Sequence, residues 1–372
     1  MRVAIVAGPN PASAFPAAAL ALSLTDNGDD VLVLTGRRWL ERLHQLGVSA
    51  EELPEHGDAA GPAVEPRYGG PAQAVAVGPA TRDLLAEFGP DLVVADVRTL
   101  AGGFAAEMLG VPWAQLHPRL ISFSADPGML KSHSGRGASL RGRRSRRSQQ
   151  LQRDLSAARE ELGLPAVGPG PALHMVATLP GLEPPRPDWP RNASVVGPLT
   201  WDPAVEDLDI PEGQSPLVMV SPSTSATGRK SLLDVTLNGL RGMRMVGTQL
   251  EPYDQPVPWW ASVGIGRQEP LLAHADVVVT GGGHGMIVRA LIAGVPLVLA
   301  PAAGDVELAR RAEQLGAALV LRRADPRSLR RAVERVIEDR AYSSAARQIA
   351  RTVATADPVV LCHQTLVGRS MA

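Results

Sequence analysis

Short apolar runs and helical stretches alternate along most of this chain. Residues 3–7 form a continuous apolar run, long enough for a buried strand, which ends in the turn-like "GPNPASAFP". A helical pattern covers about residues 15–25. A strand at 30–35 and a helix at 37–46 follow. Residues 53–79, rich in Pro, Gly and Ala, predict a loop region. A helix at 81–88, the strand "PDLVVADV", a helix at 100–109 closed by Gly110 and the strand "VPWAQLHP" continue the series. The Arg-, Gly- and Ser-rich stretch at 131–153 breaks it and predicts a mobile segment leading into a helix that ends near "EELGLP". Strands near 174–178 and in "ASVVGPL" close the first half. The acidic, Pro-containing stretch at 200–215 has the composition of a linker, and the alternation restarts with "PLVMV". Helices are predicted at 325–339, 342–354 and 358–367. Alternation of this kind predicts an α/β protein with two Rossmann-like, doubly wound domains facing a cleft.

Composition narrows the reading. A chain of 372 residues with 45% hydrophobic residues can build two sizeable cores. The net charge of −1 gives no bulk attraction to nucleic acid. The single cysteine, Cys362, excludes an intramolecular disulfide and a cysteine-based metal cluster, which suits a cytoplasmic protein. "MRVAIVAG" followed by "PNP" lacks the long apolar stretch of an export signal, and no apolar run has the length of a membrane span.

The chemistry concentrates in "ADVVVTGGGHGMIVRALIAGVPLVLAP", residues 275–301. A strand runs into glycines and then into a helix. Backbone N–H groups at such a junction can meet an anion. The same residues also permit close helix–strand packing, so the motif alone leaves both readings open.

The stretch from "LLAHADVVVTGGGHGM" to "EQLGAAL" resembles the donor-binding region of family 1 glycosyltransferases, which have the GT-B fold. "PDLVVADVRTLAGGFAAEMLGVPWAQLHP", "LEPPRPDWPRNASVVGPLTWDP" and "PLVMVSPSTSATG" extend the resemblance over nearly the whole chain, in order. It implies an acceptor-binding domain at 1–199, a linker at 200–214, a donor-binding domain at 215–355 and a helix at 356–372 crossing back to the first domain. The family's His-Gly-Gly-any-Gly-Thr motif falls on Gly281, Gly282, Gly283, His284, Gly285 and Met286, so the diphosphate-contacting His and the Thr are both replaced. Asp305 matches the sugar-binding Asp, while Val306 replaces the Gln beside it. The base-stacking Trp aligns with Ile265, and Gln268 is kept. Ser13 occupies the place of the catalytic base, and Asp96 that of the acid which orients it.

The resemblance implies transfer of a sugar, with inversion, from a uridine or thymidine diphosphate donor to a small-molecule or lipid acceptor. Donor contacts fall on Ser223, Thr224, Gln268, Gly282, Gly283, His284, Gly285, Met286 and Asp305. No cofactor, metal or nucleic acid is expected, and the Arg-rich segment is a candidate peripheral membrane contact. A serine hydroxyl is too weak a base unaided, so Asp96, then His117 at the next strand end, are the better candidates. The altered positions also favour an alternative, a non-catalytic GT-B protein that binds a nucleotide or another small ligand. Asp305 and Asp96 could instead serve as helix or turn caps.

Overall fold

The computed structural model describes residues 1–54, 70–118, 138–183, 189–222, 230–301, 305–353 and 355–370. The chain divides into two compact units, residues 1–201 with 355–372, and residues 202–354.

The first unit contains β1 (Arg2–Val6), α1 (Pro11–Asp26), β2 (Asp30–Thr35), α2 (Leu40–Gln45), β3 (Ser49–Glu52), α3 (Pro71–Phe88), β4 (Leu92–Asp96) and α4 (Leu100–Leu109). It continues with β5 (Trp113–His117), α5 (Ala138–Glu161), β6 (Leu173–Val176) and β7 (Ala193–Val195). Among the described residues the sheet order is β3-β2-β1-β4-β5-β6-β7, and every pair is parallel. The strands are apolar on both faces because helices cover both: Val3, Ile5, Val93 and Val94 are fully buried. Helix α4 packs unusually close. A Cβ on Gly102 would lie 2.7 Å from the Val6 Cβ and 3.1 Å from the Ala95 Cβ, so only glycine fits there.

The second unit contains β8 (Leu217–Ser221), α6 (Lys230–Gly239), β9 (Arg244–Thr248), β10 (Ala261–Gly264), α7 (Gln268–His274), β11 (Val277–Thr280) and α8 (His284–Ile292). Then follow β12 (Leu297–Leu299), α9 (Val306–Gln314), β13 (Ala318–Val320), α10 (Pro326–Glu338) and α11 (Arg340–Arg351). Its parallel sheet runs β10-β9-β8-β11-β12-β13. The last helix, α12 (Pro358–Ser370), packs in the first unit, where His363 Nε2 meets Asp29 Oδ2 at 3.0 Å and Cys362 is buried beside Met175.

The two doubly wound parallel sheets expected from the alternation are present. One local expectation needs correcting, and a second alternative is resolved. Helix α3 starts at Pro71, inside the stretch read as loop to residue 79. Pro71 stands in its first turn, where a missing N–H costs nothing, and residues 55–69 lie outside the described residues. Helix α5 starts at Ala138, within the stretch expected to be a mobile loop or a solvated helix start. Arginine is a good helix former, and no β-branched residue interrupts residues 138–150. Residues 131–137 lie outside the described residues.

Candidate functional site

Each sheet reverses its strand order once, between β1 and β4 in the first unit and between β8 and β11 in the second. Ligands of doubly wound sheets sit outside the carboxyl ends of the strands at such a switch point. Ser13 and Asp96 lie at the first of these places and the glycine turn after β11 at the second.

In the first unit, Asp96 ends β4 and Ser13 lies in the first turn of α1, just after β1. Both side chains are buried, at 2% and 3% exposure. Asp96 Oδ2 accepts the Arg98 N–H at 3.2 Å and the Thr99 hydroxyl at 3.1 Å. Thr99 Oγ1 in turn accepts the Gly8 N–H at 2.9 Å, which ties the turn after β1 to the turn after β4. Asp96 Oδ1 is buried without a hydrogen-bond partner of ordinary geometry. Burial pushes the Asp96 carboxyl up to about 6, against the Ser13 hydroxyl, the Thr99 hydroxyl and Arg98, which all favour the charged form. The caps expected of a bland carboxylate are partly present, since Asp96 does hold its own turn. An unsatisfied, desolvated oxygen with a pKa near neutrality is what a turn cap does not need.

His117 ends β5, and its Nε2 lies 3.0 Å from Nδ1 of His174 on β6. Burial, with His174 beside it, pushes His117 down to about 3, so the ring stays neutral. Sequence reasoning missed His174 and Thr99. His174 is 57 residues from its partner, and only strand pairing brings the two together. Three aromatic rings of the first unit also pack edge to face: Phe15 of α1, Trp39 and Trp201.

In the second unit, β11 ends at Thr280, and the glycines lead into α8. Gly282 has φ +86°, a left-handed conformation that favours glycine, and its Cβ position lies 3.3 Å from Pro301 and 3.4 Å from Asp305. Asp305 is therefore beside the glycine turn. It occupies the N-cap position of α9, but its side chain makes no cap bond. Gly283 is the N-cap of α8, with no side-chain cap either, and no atom of the described residues lies within 4 Å of the Cβ positions of Gly283 and Gly285. Among the described residues, the start of this nine-residue helix thus presents backbone N–H groups and partial positive charge with no side-chain cap. His284 is half-buried. Met286 turns inward and is 8% exposed, so it packs in the core, and nothing in its placement offers a polar contact.

Gln268 opens α7. Its N–H donates to Asp202 Oδ2 at 2.6 Å and its Nε2 to Thr248 Oγ1 at 3.1 Å, at the end of β9. Asp202 also lies 3.7 Å from Arg289 of α8, so one carboxylate ties the two helices that carry the motif residues. Ser223 and Thr224 lie outside the described residues. Among the described residues no group of three or more His, Cys, Asp or Glu is placed to hold a metal, and no helix is long and apolar enough to cross a membrane.

Two Rossmann-like parallel-sheet units in one chain are the architecture of the GT-B glycosyltransferases. Residues 265–364 match the family model for the C-terminal domain of "Erythromycin biosynthesis protein CIII-like" proteins. The chain is 28% identical over 411 aligned residues to the 4'-demethylrebeccamycin synthase of Lentzea aerocolonigenes, spanning 96% of this chain and 97% of that protein. A shorter match, 32% identical over 145 residues, covers 36% of this chain and 37% of the L-demethylnoviosyl transferase of Streptomyces niveus. Among solved structures, the glycotransferase of kitacinnamycin superimposes with a TM-score of 0.77 at 21% identity, covering 100% of this chain and 99% of that one. Glycosyltransferase VinC in complex with DTDP gives 0.73 at 17%, covering 100% of both chains. At these identities the structural likeness is one of fold. The fold is that of the GT-B glycosyltransferases, and the sequence matches are to the EryCIII-like C-terminal domain and to glycosyltransferase-type relatives.

Proposed function

We propose that the protein moves a sugar from a thymidine- or uridine-diphosphate donor to a hydroxyl group of a small-molecule acceptor, with inversion. The observation that carries this reading is the start of α8, which has no side-chain cap and, among the described residues, nothing within 4 Å of the Gly283 and Gly285 Cβ positions. The N–H groups there suit the charge that grows on the leaving diphosphate. Asp305, beside Gly282, suits the sugar hydroxyls, and Gln268 the nucleotide. Ser223 and Thr224 remain candidates for the diphosphate. A relative that is a 4'-demethylrebeccamycin synthase and a structural neighbour in complex with DTDP support the choice of acceptor and donor classes.

In this reading residues 1–199 take the acceptor and residues 215–355 the donor. The acceptor oxygen attacks the sugar carbon opposite the leaving group as its proton passes to Asp96, and the bond to the diphosphate breaks with its electron pair. Asp96 is preferred to His117 as base: its pKa of about 6 lies near working pH, whereas His117 is a weak base with its Nε2 already facing His174. Ser13 acts on the Asp96 carboxyl and is not itself the base. The free, buried Cys362 suits a cytoplasmic setting. No step requires the Arg-rich segment to touch a membrane.

A second reading, a nucleotide-binding protein without turnover, is favoured by one observation: the two altered motif places, Gly281 and Met286, are both buried and offer no side-chain donor. Calorimetry with thymidine and uridine diphosphates, paired with turnover of their sugars, tests both readings. Binding with turnover supports the first, binding alone the second, and neither would remove both.

A further inference from the structure

Thr99 lies in the turn between β4 and α4, 3% exposed, with its hydroxyl committed on both sides. It accepts the Gly8 N–H and donates to Asp96 Oδ2, and the Arg98 N–H donates to the same oxygen. The two oxygens of Asp96 are therefore unlike. Oδ2 carries two hydrogen bonds from the protein. Oδ1 is buried with no partner of ordinary geometry. Hydrogen bonds to a carboxylate oxygen stabilise its charge, so the oxygen with fewer of them is the more basic. The Gly8 bond leaves the Thr99 oxygen with one proton to give, and that proton points to Oδ2.

We propose that Thr99 is a positioning residue that fixes which oxygen of Asp96 takes the acceptor's proton: Oδ2 stays held, and Oδ1 receives it. This rests on the reading of Asp96 as the base. The step balances. The acceptor O–H bond breaks, its electron pair forms the new bond to the sugar carbon, the diphosphate leaves with the pair of the old bond, and the proton ends on Oδ1. The carboxyl is then neutral, and its Oδ2 still accepts from Thr99 and Arg98. The groups that act on Asp96 are few: the charged Arg98 of its own turn, the Thr99 hydroxyl, and from α1 the Ser13 hydroxyl. His117, at the end of neighbouring β5, stays neutral throughout the range concerned.

The test is a carbon-13 carboxyl titration of the full chain, with the Asp96 signal assigned by its loss in D96N. It is run on the parent, T99V and T99S, beside the pH profile of kcat/KM for the best sugar nucleotide found. Loss of one hydrogen bond to a carboxylate shifts its titration by about one pH unit. T99V should therefore titrate about one unit higher than the parent, and the acid limb of kcat/KM should move with it. T99S, which keeps the hydroxyl, should titrate within about 0.3 unit of the parent. Thermal unfolding reports whether each variant is folded, and T99A replaces T99V if T99V is not. A merely structural role would lower stability or rate without moving the titration. An unmoved titration in folded T99V or T99A, or a full-unit shift in T99S, overturns the proposal. If the titrations move as expected but D96N keeps the parent's turnover, the fault lies in taking Asp96 as the base, and the assignment of the proton to Oδ1 falls with it.

Discussion

Replacing Gly282 and Gly283 one at a time separates what the glycine turn does for the fold from what it does for a ligand. Gly282 has φ +86°, and its Cβ position already lies 3.3 Å from the Pro301 Cβ. An L-residue in a left-handed conformation costs about 1–2 kcal/mol, so Gly282→Ala should lower the unfolding free energy by about that much. Gly283 differs in both respects. Its φ of −61° and ψ of 137° are open to any residue, and among the described residues a Cβ there meets nothing within 4 Å. Gly283→Val should therefore change stability by less than about 0.5 kcal/mol. The same open space is where the diphosphate is proposed to lie, and branched methyl groups there would displace it from the N–H groups of α8. Losing one charge-assisted hydrogen bond of about 1.5–3 kcal/mol weakens binding by roughly 10- to 150-fold. Urea unfolding measures the first quantity, and calorimetry with thymidine diphosphate the second. A folded Gly283→Val protein that binds the nucleotide as the parent does would refute the anion-site reasoning. A Gly282→Ala protein as stable as the parent would refute the strain argument.

Three further outcomes follow from the same geometry. With saturating donor, Asp96→Asn should lose about 10²- to 10⁴-fold in turnover, while Ser13→Ala and His117→Ala stay within about tenfold of the parent; rapid-quench assays decide this. The Asp96 carboxyl is raised from 3.8 to about 6 in the folded protein, so the native state binds the proton more tightly and loses stability as pH rises between those values. Asp96→Asn should remove that loss, becoming more stable than the parent by up to about 3 kcal/mol above the window, with the gain fading to nothing below it; urea unfolding across this range checks it. Gly102→Ala should destabilise the first unit by about 1–3 kcal/mol in the same assay, because its Cβ would meet Val6 at 2.7 Å.

Regular elements were readable from the chain where burial and termination act locally. The strand Asp30–Thr35 is built on a continuous apolar run, residues 31–34. The helix Leu100–Leu109 ends at Gly110, whose φ of +67° needs glycine. Helix α1 starts at Pro11 and α3 at Pro71, earlier than their apolar patterns begin, because proline in a first turn looks like a turn residue in the sequence. Strand β3, "SAEE", carries no apolar signal and exists through its pairing with β2. The glycine turn was legible as a strand-to-helix switch. The surroundings of Asp96 were not: Gly8 and Thr99 are 91 residues apart, and their hydrogen bond follows from the adjacency of β1 and β4.

The proposed reaction is sugar transfer from a nucleotide donor. Its most direct test is to incubate the full chain with a panel of thymidine- and uridine-diphosphate sugars, with and without small hydroxylated acceptors, and to follow release of the nucleoside diphosphate. Diphosphate release is expected with at least one donor, accelerated by an acceptor, and largely lost in Asp96→Asn while nucleotide binding persists. Diphosphate release from none of the donors, in a folded protein that binds the nucleotide, would contradict the proposed reaction.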